Sequence, residues 1–277
     1  MKIGIVKNGY YSSPSQEEQI KRIKDECEKR GCETVVYKNA RPVFSDTEFD
    51  FTKAIFLDKD VFLAKEAENR GIVLLNSANA TELADDKCKT YLALAKGNVK
   101  QQETCIIPKK YNYFLDENYL KEVAERLGYP LVAKKGCGSF GEQVYLVKNY
   151  NELIEADKKI GIESGLYQKF RAHSKGKSLR IIVVGGKAIG GIRLENDRDF
   201  RSNAHLGGVG TIAELRPEFV SEAEKAAKLL NLNYCGVDLF CDEPVVIEVN
   251  SNALFNEFER KTGINVAEKI VEELLSL

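Results

Sequence analysis

The sequence is short of several things at once. It has two histidines, far apart at 173 and 205, and seven cysteines with no CxxC among them. An HExxH zinc site is thereby excluded, and a His/Cys metal cage is disfavoured. The odd cysteine count, scattered from 27 to 241, reads as free thiols in a reducing cytoplasm rather than a disulfide framework. Net charge is nearly absent: 41 Lys and Arg stand against 42 Asp and Glu, a formal −1. Bulk electrostatics therefore point to neither a nucleic acid nor an anionic membrane as partner. No stretch approaches the roughly 18 apolar residues of a spanning helix. The apolar part of MKIGIVKNGYY is too short for a signal peptide. Repeats, low-complexity segments and long linkers are missing as well.

What is present is a soluble globular composition, 43% hydrophobic and 30% charged, in a chain of 277 residues, long enough for more than one domain. Up to about residue 80, β-like runs (KIGIVK, ETVVY, KAIFL, IVLL) alternate with helical ones. Ile20, Ile23 and Cys27 fall at helical spacing before Gly31. That order predicts a small parallel α/β layer. Its first turn, KNGYYSSPS, lacks GxGxxG, so a dinucleotide is not expected there. A helix capped by Thr81 is expected to run to Gly97. Another over ENYLKEVAERLGYP places Leu120, Val123, Ala124 and Leu127 on one face. Beyond it the pattern becomes antiparallel α+β: YPLVAKK, EQVYLV, GLYQKF, a pair of strands around Gly185–Gly186, a helix over RPEFVSEAEKAAKLLN, a hairpin YCGVDLFCDEPVVIEVN and a terminal amphipathic helix.

GCGSFG, residues 136–141, matches GxGxxG literally. A dinucleotide fingerprint needs a helix to begin within it, whereas EQVYLV alternates as a strand. The loop is thus a hairpin tip. Such a tip either covers phosphates with its backbone N–H groups or is an ordinary turn. Lys134 stands on the strand leading into it, on one face with Val132, and is placed to act on phosphates as a point charge unless it is merely solvated. A protein kinase would need HRDxxxxN and DFG, and neither occurs.

The hairpin carries Asp238 and Glu248. A three-residue loop, Asp242 to Pro244, pairs Cys241 with Val245 and sets Asp238 opposite Glu248, with Leu239 and Ile247 turned to the apolar side. A two-residue loop would set Asp238 opposite Ile247 instead. Like charges directly opposite cost roughly 0.2–1 kcal/mol in a solvated sheet. A divalent cation between them would remove that cost, and Asn250 on the same face adds a neutral oxygen. Two carboxylates and an amide suit Mg²⁺ bridging phosphates; the plainer alternative is a pair of solvated acids on an edge.

Taken in order, GCGSFG, Lys134, LYQKF, DFRSNAHLGGVG, GVDLF…VIEVN and EFERKTGINVAEKI resemble the RimK-like branch of the ATP-grasp carboxylate–amine ligases, the α-L-glutamate ligases, over roughly residues 75–277. The resemblance implies an ATP-grasp fold behind an N-terminal pre-ATP-grasp (Rossmann-like) α/β domain, divided at 1–80 and 81–277. A lid subdomain would cover about 100–170 and a C-terminal subdomain about 171–277. It implies ATP and Mg²⁺ or Mn²⁺, as two ions, and no nucleic-acid or membrane partner. It implies that Lys87 and Lys134 contact phosphates beneath the loop residues Gly138, Ser139 and Phe140. Gln168, Lys169 and Phe170 would form the hinge at the adenine. Arg201, Ser202 and Asn203 would reach ATP and the reacting carboxylate, Arg180 and Arg193 would lie beneath the phosphates, and Asp238, Glu248 and Asn250 would hold the metal.

Three positions depart from the family's pattern. Lys169 stands where the hinge is usually acidic. Ser178 stands at the ribose-side acid. SNALFNEFE replaces a small residue followed by Pro-Gly. The implied reaction is amide or peptide bond formation through an acyl phosphate, adding glutamate or another amino acid to a small molecule, peptide or protein, in a homo-oligomer. The principal alternative is a non-catalytic ATP-binding regulatory protein that retains the fold. A transferase that stops at phosphorylation and a thiol redox sensor are further alternatives. His205 would contact substrate or be a spectator, and Cys137 would be an oxidation-sensitive thiol or simply a small residue.

Overall fold

The computed structural model describes residues 1–277 other than 41, 45, 46, 140 and 203–207. The N-terminal layer is a parallel sheet of β1 (Lys2–Lys7), β2 (Glu33–Lys38), β3 (Lys53–Leu57) and β4 (Val73–Leu75), in the order β2-β1-β3-β4. Its crossovers include α1 (Pro14–Lys29) and α2 (Val61–Asn69). Ser13 caps α1 by accepting from the Gln16 N–H, with Pro14 in the first turn, where its missing donor costs nothing. Ile20, Ile23 and Cys27 are buried as their spacing predicts.

The helix expected to begin at Thr81 is instead two helices, α3 (Ala78–Asp85) and α4 (Lys87–Lys96). Ser77 caps the first. Asp86 leaves helical geometry and accepts from the N–H groups of Cys88 and Lys89, which starts the second. An aspartate that can bond its own following amides competes with helix continuation, and this break puts Lys87 at a helix start.

Two antiparallel sheets follow. The lid sheet has the order β5-β8-β6-β7, from β5 (Thr104–Ile106), β6 (Leu131–Lys135), β7 (Val144–Val147) and β8 (Gly165–Lys169). One face packs on α5 (Glu117–Leu127) and α6 (Tyr150–Ile160) around Leu120, Val123, Leu153 and Tyr167. The larger sheet has the order β11-β10-β9-β12-β13, from β9 (Lys177–Val184), β10 (Lys187–Glu195), β11 (Val209–Ile212), β12 (Tyr234–Leu239) and β13 (Val246–Asn250). Helix α7 (Pro217–Leu229) covers one face through Phe219, Ala223 and Ala226. On the other side α8 (Asn256–Thr262) and α9 (Val266–Ser276) share a core with β1, β3 and α1. The N-terminal layer is therefore welded to the larger sheet, while the lid sheet stands across a cleft from it.

Glu26 is one of the welds. It is 1% exposed and accepts from Lys29, Arg30 and Asn265, the residue that caps α9. Burial alone would raise its carboxyl, but these donors outweigh it and hold the pKa down at about 2 against an ordinary 4.5. The folded value lies below the unfolded one. The stabilisation is thus complete above about pH 4.5 and is lost as pH falls through about 2. Glu26→Gln is expected to cost on the order of 2–3 kcal/mol at pH 7. Urea unfolding of the two proteins should show a gap in midpoint that closes on acidification.

Candidate active site

The cleft is built from strand register. Across β9, β12 and β13 one rung reads Arg180, Asp238, Glu248, and residues paired directly in antiparallel strands share a face. Both Asp238 oxygens accept from Arg180, from Nε and Nη2, at 2.7 Å each. This fork is planar and doubly hydrogen-bonded, the strongest form of the ion pair. Burial works to lower the Arg180 pKa, and Asp238 more than offsets it; burial raises the Asp238 carboxyl in turn, against the pull of Arg180.

The pairing of Asp238 with Glu248 agrees with the sequence count, but by a different route. Phe240 N–H donates to Val245 O, so the hairpin loop is Cys241 to Pro244, one residue longer than expected. The register then shifts between Asp238 and Leu239, which pairs with Val246. Ile247 is the extra residue of this bulge, and the two offsets cancel at Glu248. The bulge also re-aims side chains. Val246 and Val249 both enter the core beneath α7, while Ile247 lines the cleft instead of joining the apolar face.

From the lid, Val132, Lys134 and Gln168 face this rung, Val132 and Gln168 being direct partners between β6 and β8. Lys134 is 8% exposed. Burial pushes its ammonium down to about 8, against the pull of Glu248, and Lys87 adds to the lowering. Glu248 goes the other way: burial would raise it, but Lys87, the Asn250 amide, Lys134 and Arg180 together hold it below the usual carboxylate range. Asn250 Nδ2 donates to Glu248 Oε1 at 2.9 Å.

The glycine loop is a hairpin tip between β6 and β7, as the alternation of EQVYLV predicts. It lies against the start of α4: Lys87 N–H donates to Gly136 O at 2.9 Å, and Lys87 Nζ to Gly138 O at 3.3 Å. A Cβ at Gly136 would sit 2.1 Å from Ser164 Oγ, so this approach admits only glycine. Arg201 Nη1 donates to Gly141 O from the other side, while Arg201 Nε and Nη2 hold Asp199. Lys87, expected at the phosphates, and Arg201, expected at ATP and the reacting carboxylate, thus clasp the loop that would cover them. Ser139 lies in the same loop and accepts from Glu142 N–H.

Several expected residues are placed elsewhere. Arg193 pairs with Leu179, on the sheet face opposite Arg180, and its Nε lies 2.6 Å from Glu195. Strand alternation carries it away from the cleft. Lys169 is exposed for the same reason: Gln168 faces inward, so its neighbour faces out. Phe170, Ser178, Arg201 and Ser202 do line the cleft, and Ser178 Oγ lies 2.5 Å from Ser202 Oγ. Phe140, Asn203 and His205 lie outside the described residues. The sequence reading missed Phe200, Phe240, Ile247, Arg171 and Lys177, all of which line the cleft. Phe200 lies within DFRSN and Arg171 directly follows LYQKF, which was signal enough for those two.

The cleft has apolar walls at one end and charge at the other, a lining suited to a nucleotide. The donor set also fits a divalent cation. Asp238 and Glu248 supply hard oxygens, and Asn250 would add one by presenting its Oδ1 instead of its Nδ2. Magnesium takes one or two carboxylates and leaves the rest of its shell to water and phosphate. Among the described residues no group of three His, Cys, Asp or Glu side chains could hold a metal on its own.

The family profile of the RimK-like ATP-grasp domain matches residues 84–274. The chain belongs to the RimK-like ATP-grasp family. A probable alpha-L-glutamate ligase of Maridesulfovibrio salexigens is 32% identical over 218 residues, 76% of this chain and 69% of that protein. Beta-citrylglutamate synthase B of Danio rerio is 31% identical over 227 residues, which is 79% of this chain but 55% of the longer relative. The fold matches D-alanine–D-alanine ligase from Bacillus anthracis, solved with ATP, at a TM-score of 0.75 and 18% identity, covering 100% of this chain and 96% of that one. In this ATP-grasp chain the lid sheet and the larger sheet are the two walls of the cleft. No helix of the described residues is long and apolar enough to cross a membrane.

Proposed function

We propose that this protein is an ATP-dependent carboxylate–amine ligase that adds glutamate or another amino acid to a carboxylate on a small molecule, peptide or protein. The observation that carries this reading is one juxtaposition. The Arg180–Asp238–Glu248 rung faces the buried Lys134 across a cleft closed by a glycine loop.

The chemical difficulty is that an anionic carboxylate must attack a polyanion. Lys134 and Lys87 would bind the phosphates, and Arg201 would exchange the Gly141 carbonyl for phosphate or substrate oxygen. Asp238, Glu248 and Asn250 would hold Mg²⁺ or Mn²⁺, which when bound supplies further charge neutralisation. Arg180 aims Asp238 through two hydrogen bonds. The substrate carboxylate oxygen bonds to the γ-phosphorus as the bond to ADP breaks. The amine nitrogen then attacks the acyl carbon, the C–O bond to phosphate breaks, and the nitrogen gives up a proton to leave an amide. Positioning and electrostatics do most of this chemistry, and the glycine loop would exclude water from the acyl phosphate. The seven free thiols support a cytoplasmic setting.

The test is ADP release from Mg²⁺ and ATP across a panel of carboxylates and amino acids, with mass spectrometry of the products. The reading expects ADP only when both an acid and an amine are present, with one amide per ADP. ADP release that needs no amine would assign a transferase instead.

A further inference from the structure

A recess adjoins the cleft and shares Lys134, Ile247 and Glu248 with it. Two charged residues that line this recess, Lys59 and Asp85, have no part in the phosphoryl chemistry. The place of Lys59 follows from the N-terminal sheet. In the order β2-β1-β3-β4 the chain winds outward from β1 to β2 on one side and from β3 to β4 on the other. The winding therefore reverses between β1 and β3. In open α/β sheets ligands bind outside the carboxyl ends of the strands at such a reversal. The residues there are Asn8, after β1, and Asp58 and Lys59, after β3. Asp58 is buried and accepts from Asn8 Nδ2 at 3.1 Å and from Lys59 N–H at 2.7 Å, which ties the two strand ends together.

From this anchored backbone the Lys59 side chain reaches Asp85, Nζ to Oδ1 at 2.7 Å. Asp85 is the last residue of α3, so the partial negative charge of the helix end adds to its own. The two side chains are 31% and 18% exposed, which leaves both within reach of a ligand in the recess. Among the described residues the other charged groups lining it are Lys87, Lys134 and Glu248, already assigned to phosphate and metal. Lys59 and Asp85 remain, one of each sign. Neither lines the part of the cleft with Phe170, Ser178 and Phe240. They lie instead toward the N-terminal layer, to which β13 leads from Glu248 through Asn250 to Ser251, whose carbonyl accepts from Asn76.

An adjacent acid and base of this kind complement a zwitterion. We infer, on the ligase reading above, that Lys59 and Asp85 form the subsite of the incoming amine and that this amine is an α-amino acid. Lys59 takes its α-carboxylate and Asp85 its ammonium, through charge-assisted hydrogen bonds. Each residue exchanges its present partner for the opposite charge on the ligand. An amine without the α-carboxylate leaves Lys59 unmatched, and an acid without the ammonium leaves Asp85 unmatched.

Calorimetry of the full chain, saturated with Mg²⁺ and a non-hydrolysable ATP analogue, tests it. The probes are the standard amino acids, then the decarboxylated amine and the deaminated acid of the tightest binder. That amino acid is expected to bind about tenfold or more tighter than either truncated form. Lys59→Met and Asp85→Asn should each weaken it by about tenfold or more and leave the affinity for the ATP analogue unchanged. The exchange of Lys59→Asp with Asp85→Lys keeps an ion pair. It should melt like wild type yet bind the amino acid as weakly as the single variants. If a single variant does not fold, the loss is read on the exchange. No amino acid bound, a truncated form bound equally well, or an affinity unmoved by the substitutions overturns the inference. So does weakened nucleotide binding in place of weakened amino-acid binding. ADP release that requires an amine, measured beside it, then shows that the ligase reading stands; without it both fall.

Discussion

Glu248→Gln is expected to abolish Mg²⁺-dependent ADP release, a loss of at least about 10²–10³-fold, while the protein stays folded. Glu248 stands directly opposite Asp238 and within the field of Lys134 and Lys87, so its charge is the one with most cationic company in the cleft. Replacing a carboxylate by its isosteric amide keeps the Asn250 neighbourhood and removes a hard anionic ligand. Asp238→Asn is a poorer test of the same idea. It would leave the buried Arg180 guanidinium without its counter-charge, and breaking a buried pair costs roughly 3–5 kcal/mol. Inactivity of that variant would mix lost chemistry with lost structure. The comparison is ADP release and urea midpoint for both variants: Glu248→Gln should lose only the first, Asp238→Asn both. Normal turnover by Glu248→Gln would remove the metal assignment.

Lys134→Met is expected to be as inactive, with stability unchanged or raised. Lys134 is buried on a strand, and desolvation already depresses its ammonium to about 8. A buried charge of this kind is a burden on the fold, and an apolar residue of similar length fits the same space. Nothing in the packing of Val132 or Leu166 needs the ammonium. A position whose removal leaves the fold intact but ends turnover by about 10²–10³-fold is one kept for its ligand. Activity assays beside urea unfolding decide the matter. A large drop in stability with little loss of turnover would make Lys134 a structural residue.

Much of the fold was legible because it is local. Alternation in KIGIVK and YPLVAKK, helical spacing of Ile20, Ile23 and Cys27, and the strand after GCGSFG each follow from period and turn chemistry. The single helix expected from Thr81 to Gly97 failed at two places: Ser77 caps it four residues earlier, and Asp86 accepts from its own following amides and breaks it. Strand partners distant in sequence were not legible. That Asp238 is flanked by Arg180 as well as Glu248 depends on β9 lying beside β12, which nothing within either segment announces. The same ignorance of register put Arg193 beneath the phosphates, when pairing with Leu179 turns it to the far face. The Asp238–Glu248 pairing was reached by a count that omitted both a loop residue and a bulge, and these errors cancelled. Bulges often lie beside active sites, and this one turns Ile247 into the cleft wall.

The central claim is that a substrate carboxylate oxygen attacks the γ-phosphorus. It is tested most directly by following that oxygen. A panel of carboxylic acids and amino acids, exchanged with ¹⁸O in their carboxylates, is incubated with the protein, ATP and Mg²⁺ in ordinary water, and the released phosphate is weighed by mass spectrometry. The account predicts one ¹⁸O in the phosphate for each ADP formed, and none with Glu248→Gln. Phosphate that appears with ADP but carries no ¹⁸O would mean that water is the nucleophile, and would contradict it.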